Sequence, residues 1–431
     1  MTVLAPELQR TARDPAVLPT WLGVCFLVAA SFPALVGLPG DVTPGHLLMM
    51  ACLPVWAVAF LDHGTLPFDT RGTFLAMIVL ACSGLVILLA LLSALVAEFP
   101  HRVMRPIVSF GTAFAMFLLV SGTITPRRIR LYLDTACISM ISTCILTSVA
   151  YFEPTLNQVI FGNADRASGF FKNPNQYGIA ISSVFPISVT LSLVSRRKTA
   201  WIAGSSFLLL GLVASGSKTN LLISALSLLG ILVLFCVIRY HGRTRVWMLL
   251  ITLAGYAAVN IIGILSLSLL NPRALTLLQA FFKAGTTHSL ESREGLWSRS
   301  IELFLENPVL GVGAGQPIFS HVSHSHNVII DFSRTLGVPG LLLILVVLTT
   351  IVVLCLQTIL SALRASRSDL SVRCLCIGTS LGPLAYVAAN FSSDSFGPTT
   401  SPFLYAIVFL NLACRPLLSA TPRRGSRGLL A

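Results

Sequence analysis

The chain has 431 residues, of which 55% are hydrophobic and only 10% charged, with a mean hydropathy of +0.85. Soluble domains carry roughly 25% charged residues, so this chain cannot cover a globule with charge, and residues 1–431 are read as a single integral membrane domain. Its formal net charge of +13 is assigned to loop arginines that orient membrane helices; the expected partner is the lipid bilayer and no nucleic acid.

The first twenty residues are polar. The apolar run after them lacks a small-residue cleavage pattern, which predicts a retained helix and not a cleaved signal. Apolar runs near the ~20 residues that span hydrocarbon then recur, and twelve spans are expected over roughly 18–38, 45–62, 73–97, 106–123, 131–151, 177–194, 200–215, 218–238, 246–270, 337–360, 371–390 and 402–417. They are apolar on all faces without strict alternation, which favours helices over a membrane barrel. The expected fold class is therefore all-α and polytopic. Pro33, Pro54, Pro186 and Pro383 fall inside these spans and are expected to kink them.

With the N-terminus in the cytoplasm, 19 of the 29 basic residues fall in inner loops. That bias predicts cytoplasmic N- and C-termini. All ten cysteines sit in apolar runs or at their inner ends, so no disulfides are expected. Cys374-Leu375-Cys376 is read as helix packing and not as a metal site.

Two outer loops are long, about 152–176 and 271–336, and long loops on one side of a membrane protein are where a site is built. In the second, Arg293, Trp297, Ile301, Phe304 and Leu305 have helical spacing, with Glu294, Ser298, Glu302 and Glu306 largely on other faces. This predicts an amphipathic helix at the outer membrane–water boundary, a place that suits Trp297. It should stop before Asn307-Pro308. "GVGAG" (311–315) is a flexible turn. No Gly-Lys-Ser/Thr follows it, as a P-loop requires, and no βαβ context surrounds it, as a dinucleotide motif requires.

"HVSHSHN" (321–327) then places His321, His324 and His326 within six residues. The residues alone leave three readings: a solvated polar loop, a zinc site whose spacings fit no familiar pattern, or a general base, since imidazole titrates near pH ~6.5 and can take a proton from a sugar hydroxyl.

His326-Asn327, nine further residues and then Gly337-Val338-Pro339-Gly340 before a long apolar run resemble the signature of the O-antigen ligase and polymerase superfamily. Three other stretches agree in order: "SGFFKNPNQYG" (168–178), "SGSKTNLL" (215–222) and "REGLWSRSIELFLENPVLGVGAG" (293–315). Together they cover about 168–340, and the helix count is similar. The resemblance implies a membrane glycosyltransferase of the bacterial inner membrane, acting on the periplasmic face in surface polysaccharide synthesis. Its donor would be a glycan on undecaprenyl diphosphate. Its acceptor would be a lipid A core sugar (a lipopolysaccharide ligase) or another repeat unit (an exopolysaccharide polymerase). It would need no cofactor, nucleotide sugar or metal.

Under that resemblance the catalytic residues are His326, Arg293 and Lys218. His326 would activate the acceptor hydroxyl. The leaving diphosphate gains charge as the glycosidic bond breaks, so fixed cations stabilise it most in the transition state. Arg293 can hold phosphate oxygens in pairs. Lys218 opens a span, where helix amides add positive potential. Relatives usually carry arginine there, and lysine keeps the charge without the fork. Arg166 and Lys172 either help bind the phosphates or face lipid headgroups. Asn327 would orient the base or the sugar. Asn173 and Asn175 would bind glycan or cap the next helix, capping being preferred for Asn175. His321 and His324 are accessory. Thr335 stands where many relatives have glutamate, which leaves any part of that carboxylate in acceptor choice open.

Two rivals remain. A flippase would place ionisable groups near the bilayer midplane, whereas the span interiors here hold almost none. A non-catalytic assembly protein would need no base. Because the histidine spacing does not suit zinc, EDTA should leave glycan transfer by purified protein unchanged; loss of transfer that zinc restores would revive the metal reading.

Overall fold

The computed structural model describes residues 16–33, 43–63, 66–153, 155–156, 158, 166–270, 287–319, 322, 324–365, 368–392 and 396–419, the side chains of 63, 259–270 and 287–292 excepted. In chain order the helices are α1 (Val17–Ala30), α2 (Pro44–His63), α3 (Thr70–Ser93), α4 (Met104–Thr123), α5 (Pro126–Phe152), α6 (Pro174–Val194), α7 (Lys198–Ser215), α8 (Lys218–Arg239), α9 (Gly242–Leu270), α10 (Thr287–Glu306), α11 (Val328–Arg364), α12 (Leu370–Asn390) and α13 (Ser401–Cys414). Among the described residues the secondary structure is helical, with one isolated antiparallel bridge between Phe319 and Val322.

Local chemistry sets several helix ends. Asp69 accepts a hydrogen bond from the Gly72 amide to open α3, and Thr125 accepts from Arg128 ahead of Pro126 to open α5. Both are N-caps that satisfy otherwise unpaired amides, and proline suits the first helical position. α7 stops at Gly216, whose φ of 58° is left-handed and cheap for glycine.

Ten helices among the described residues are long and apolar enough to cross a membrane. Of the other two expected spans, α1 has 14 residues, too few for that standard, and α9 has 29, of which the side chains of 259–270 lie outside the described residues. α1 stops at Ala30, and Pro33, expected to kink a span, lies beyond its C-cap Ser31, where proline cannot continue a helix. Pro54, Pro186 and Pro383 do lie inside helices.

α6, α12 and α13 form the centre of the bundle, buried along most of their length, whereas α3, α8 and α9 expose leucine and isoleucine on their outer faces. Between apolar helices, hydrogen bonds across small polar side chains supply specificity that greasy surfaces lack. Asn411 donates to Ser380 (2.8 Å) and Thr379 (3.0 Å) and accepts from Thr358 (3.1 Å). Ser188 meets Ser205 at 2.8 Å, and Ser224 donates to Ser182 at 3.0 Å. The ten cysteines are free thiols, and Cys376 packs against the Cys414 carbonyl at 3.7 Å.

Long connections gather at one end of the bundle. His46 lies 2.8 Å from the Pro398 carbonyl, Phe32 packs on Phe170, Thr399 donates to Gln176 (3.0 Å), and Gln316 is hydrogen-bonded to Phe99.

At this end α11 is broken. Gly337 has φ 67° and ψ −160° inside an otherwise continuous helix. The segment after α10 fills the break. Val312 N donates to the Arg334 carbonyl (2.9 Å), Gly313 N to the Thr335 carbonyl (3.2 Å), and Val338 N to the Pro308 carbonyl (2.8 Å). Such a break is tolerated at membrane depth only when the freed backbone groups find protein partners. Glycine is needed on both sides. A Cβ on Gly337 would collide with the Val309 and Pro308 carbonyls, and one on Gly311 with the backbone of Thr335 and Arg334. Gly337→Ala combines positive-φ strain with backbone overlap and should cost at least about 2 kcal/mol. The check is thermal unfolding of purified protein in detergent; an unchanged midpoint would refute the packing described.

Candidate active site at the broken helix

α10 ends at Glu306, directly before Asn307-Pro308, as the proline predicts. Its orientation differs from expectation. Trp297, Ser300 and Phe304 turn toward the protein, while Ile301 and Leu305 are 47% and 68% exposed. Trp297 does not simply sit at a water boundary: its indole Nε1 donates to the Ser325 carbonyl at 2.8 Å. That bond fastens the helix carrying Arg293 to the histidine loop.

The loop is held tightly around His326, which adopts φ 58°. A non-glycine residue in this left-handed region costs on the order of 1–3 kcal/mol and persists only where its surroundings impose it. Here they do. Ser325 is fully buried; its amide donates to Asp331 Oδ1 (2.8 Å) and its hydroxyl to the Asn327 carbonyl (3.0 Å). The Asp331 amide donates to the same Asn327 carbonyl at 2.9 Å. Asn327 itself caps α11, its Oδ1 accepting from Ile329 (3.0 Å) and Ile330 (3.3 Å), and its Nδ2 donates to the Phe391 carbonyl at 3.4 Å. Its side chain therefore holds the turn and the helix end. The His324 and His326 rings meet edge to face with centroids 4.7 Å apart. His321 lies outside the described residues.

Asp331 and Arg334, which sequence reasoning did not single out, form the floor. Arg334 has no exposed surface; its Nη1 donates to the Gln316 carbonyl (2.9 Å), and Nη2 lies 3.6 Å from Asp331 Oδ1. The readable signal was an Asp four residues after a cap Asn, with Arg three further on, which stacks the two on one helical face. A cavity of about 80 Å³ adjoins this floor, lined by Arg105, Phe110, His324, Asp331, Phe332 and Phe396 among others.

The cations come from a second group of connections. Arg166 donates from Nε to the Ser215 carbonyl and from Nη2 to Asn175 Oδ1, both at 2.8 Å. Its side chain lies against Gly216, where a Cβ would come within 3.1 Å of it. Lys218 opens α8 two residues later and is exposed. Asn220 donates to Ser217 Oγ (2.8 Å) and to the Asn175 carbonyl (3.3 Å), so the starts of α6 and α8 lie side by side. Asn173 is the cap of α6, accepting from Gln176 at 2.9 Å. Capping thus falls to Asn173 and not to Asn175, whose side chain holds Arg166. Lys172 is exposed next to that cap.

Burial, and then the like charge of Arg293, pull the Arg166 guanidinium below the ordinary arginine range. Arg293 is therefore within electrostatic reach of Arg166, and its guanidinium makes no hydrogen bond or ion pair among the described residues. Two guanidiniums that repel each other and two helix N-termini together form a region of positive potential suited to an anion. Because Arg293 precedes Trp297 by one helical turn, the Trp297–Ser325 bond ties this region to His326. Of the expected site residues, the structure brings Arg166, Asn175, Lys218 and Arg293 to one group and His324, His326 and Asn327 to another, joined by α10.

Removing the Asp331 carboxylate would leave Arg334 as an uncompensated buried cation, which costs about 3–5 kcal/mol. Asp331→Ala should therefore lower the unfolding midpoint in detergent well below that of an exposed control such as Glu302→Ala; equal midpoints would show that the pair does not hold the loop.

None of the curated proteins compared with the chain matches it. A family comparison does: residues 203–345 match the family model described as O-antigen ligase. The match takes in the α7–α8 turn, α10, the histidine loop and the break in α11, while the 168–178 stretch lies before it. Over this third of the chain, which includes the loop region just described, the protein resembles the O-antigen ligase family.

Proposed function

We propose that the protein is a periplasmic-face membrane glycosyltransferase of polysaccharide biosynthesis, with its termini in the cytoplasm. It moves a glycan from undecaprenyl diphosphate onto a hydroxyl of another glycan or of a lipid A core. The observation that carries this reading is the joining of two unlike groups by one helix: a cluster of cations at two helix N-termini, and a histidine held in a strained backbone turn. A lipid-linked sugar diphosphate has one end for each group.

The diphosphate meets Arg293 and Arg166, with Lys218 and the α8 amides adding positive potential. Arg166 is already fixed by Ser215 and Asn175, so little conformational entropy is lost when it receives an anion. His326 takes the proton of the acceptor hydroxyl as that oxygen attacks the anomeric carbon. The bond to the phosphate oxygen breaks, and undecaprenyl diphosphate leaves with its charge stabilised by the arginines. Arg166 and Arg293 attract the phosphate oxygens more strongly as the breaking bond adds negative charge to them, so the pair stabilises the transition state more than the bound substrate. His324 packs on the base, and Asn327 orients it through the backbone. Lys172 and Asn173 are placed by this reading at the rim of the donor site, and His321 keeps an accessory part.

The test is complementation of a deletion strain. His326→Ala should abolish transfer, a loss of at least about 100-fold for a general base, while membrane levels stay normal; full complementation would sink the assignment. Arg293→Lys should slow turnover about tenfold or more by losing the paired contacts, with stability unchanged. The glycans of the deletion strain distinguish the acceptors: accumulated single lipid-linked units indicate a polymerase, and bare lipid A core with long lipid-linked chains indicates a ligase.

A further inference from the structure

We infer that the protein has a second saccharide-binding site, a cleft beside the histidine loop, in which Phe319, Phe99, Glu98, Arg102 and Asn307 bind sugar units of the glycan away from the reacting bond. This rests on the proposed function. The cleft has a volume of about 640 Å³, within the range of roughly 300–1,000 Å³ for small-molecule sites. One wall is the α3–α4 connection, another is the end of α10, and the floor is Gly311–Phe319. None of Arg166, Lys218 and Arg293 lines it.

The walls are built, not loose. Gln316, 3% exposed, accepts from the Phe99 amide (2.8 Å) and donates to the Phe99 carbonyl (2.9 Å), and the Ala314 amide donates to Ser93 Oγ (3.0 Å). Gly315 runs so close to the opposite wall that a Cβ would lie 2.6 Å from the Arg102 carbonyl. Onto this frame the cleft presents two phenyl rings. Phe319 is 44% exposed, and Phe99 carries the Arg102 guanidinium 4.7 Å above its ring. The Glu98 carboxylate makes no hydrogen bond or ion pair among the described residues, and the Arg102 guanidinium makes only its ring contact.

That mixture selects a chemistry. A lipid chain would strip water from Glu98 and Arg102 without replacing its hydrogen bonds. A simple anion would meet the Glu98 carboxylate. A sugar ring offers an apolar C–H face to Phe319 and hydroxyls that donate to Glu98 and accept from Arg102. The geometry also connects the cleft to the reaction. Ile318 N donates to the Val322 carbonyl (2.7 Å) and Val322 N to the Phe319 carbonyl (3.1 Å), so Phe319 is bonded to the segment that carries His326. A glycan whose end sits at His326 can lie along it into the cleft.

The test is direct binding, independent of turnover. Full-length protein in nanodiscs is titrated with oligosaccharides released by mild acid from the host cell's own surface polysaccharide. Wild type and His326→Ala should bind alike. Phe319→Ala and Glu98→Gln should each weaken binding at least tenfold, and Phe319→Tyr, which keeps the ring, should restore it to within about threefold. All variants should bind undecaprenyl diphosphate as wild type does. Saccharide binding by Phe319→Ala and Glu98→Gln equal to wild type, or none by wild type, overturns the cleft, whereas transfer by His326→Ala overturns the proposed chemistry and leaves the binding result readable.

Discussion

The break in α11 at Gly337 is the constraint on which the loop-rich end depends. A helix interrupted near a membrane leaves carbonyls and amides that nothing apolar can satisfy. Arg334 and Thr335 offer their carbonyls to Val312 and Gly313, and Val338 offers its amide to Pro308. Once the 308–313 segment is docked there, the next residues have little freedom. Gln316 receives Arg334, Arg334 faces Asp331, and Asp331 holds the Ser325 amide. His326 is thus the last member of a chain of contacts that begins at a glycine eleven residues further on.

This arrangement gives the site rigidity without a sheet or a disulfide. A left-handed histidine is costly, and its surroundings offset the cost through short, buried, backbone-directed hydrogen bonds. Its partners come from the turn itself, from the first turn of α11 and from Trp297 on α10. The cations are organised by other means. Arg166 is fixed to a carbonyl and an amide oxygen, and α6 and α8 begin side by side because Asn220 bridges them. Each half is held by its own hydrogen bonds. α10 sets the distance between them, so rotation of that one helix about its axis would change both.

Much of this was legible beforehand, for identifiable reasons. Hydropathy located the spans because crossing a bilayer is a local requirement of about 20 residues. Asn307-Pro308 stopped α10 because proline restricts its own neighbour. The pairing of Asn-Pro-x-x-Gly-x-Gly with His-Asn and Gly-x-x-Gly was visible as a pattern, but its cause was not. The glycines of both stretches face each other backbone to backbone across some twenty-five residues of chain. Arg334 resembled any loop arginine, and its complete burial follows only from the docked 308–316 segment. The rotation of α10 was misjudged because Ile301 and Leu305 are as apolar as Leu296 and Phe304, and periodicity alone cannot tell lipid from protein as the covering partner.

The sequence by itself determined that the chain lies in a membrane as a helical bundle, roughly where most of its apolar spans fall, and that Asn307-Pro308 ends α10. Each of these is a property of neighbouring residues. Only the tertiary structure decided which polar groups meet: that Asn173 caps a helix while Asn175 holds Arg166, that Arg166 and Arg293 share one electrostatic field, and that a buried ion pair supports the histidine turn. In a chain this apolar, every face of a helix is equally able to pack, so the choice among faces is made by the few polar groups that must find partners far away in sequence.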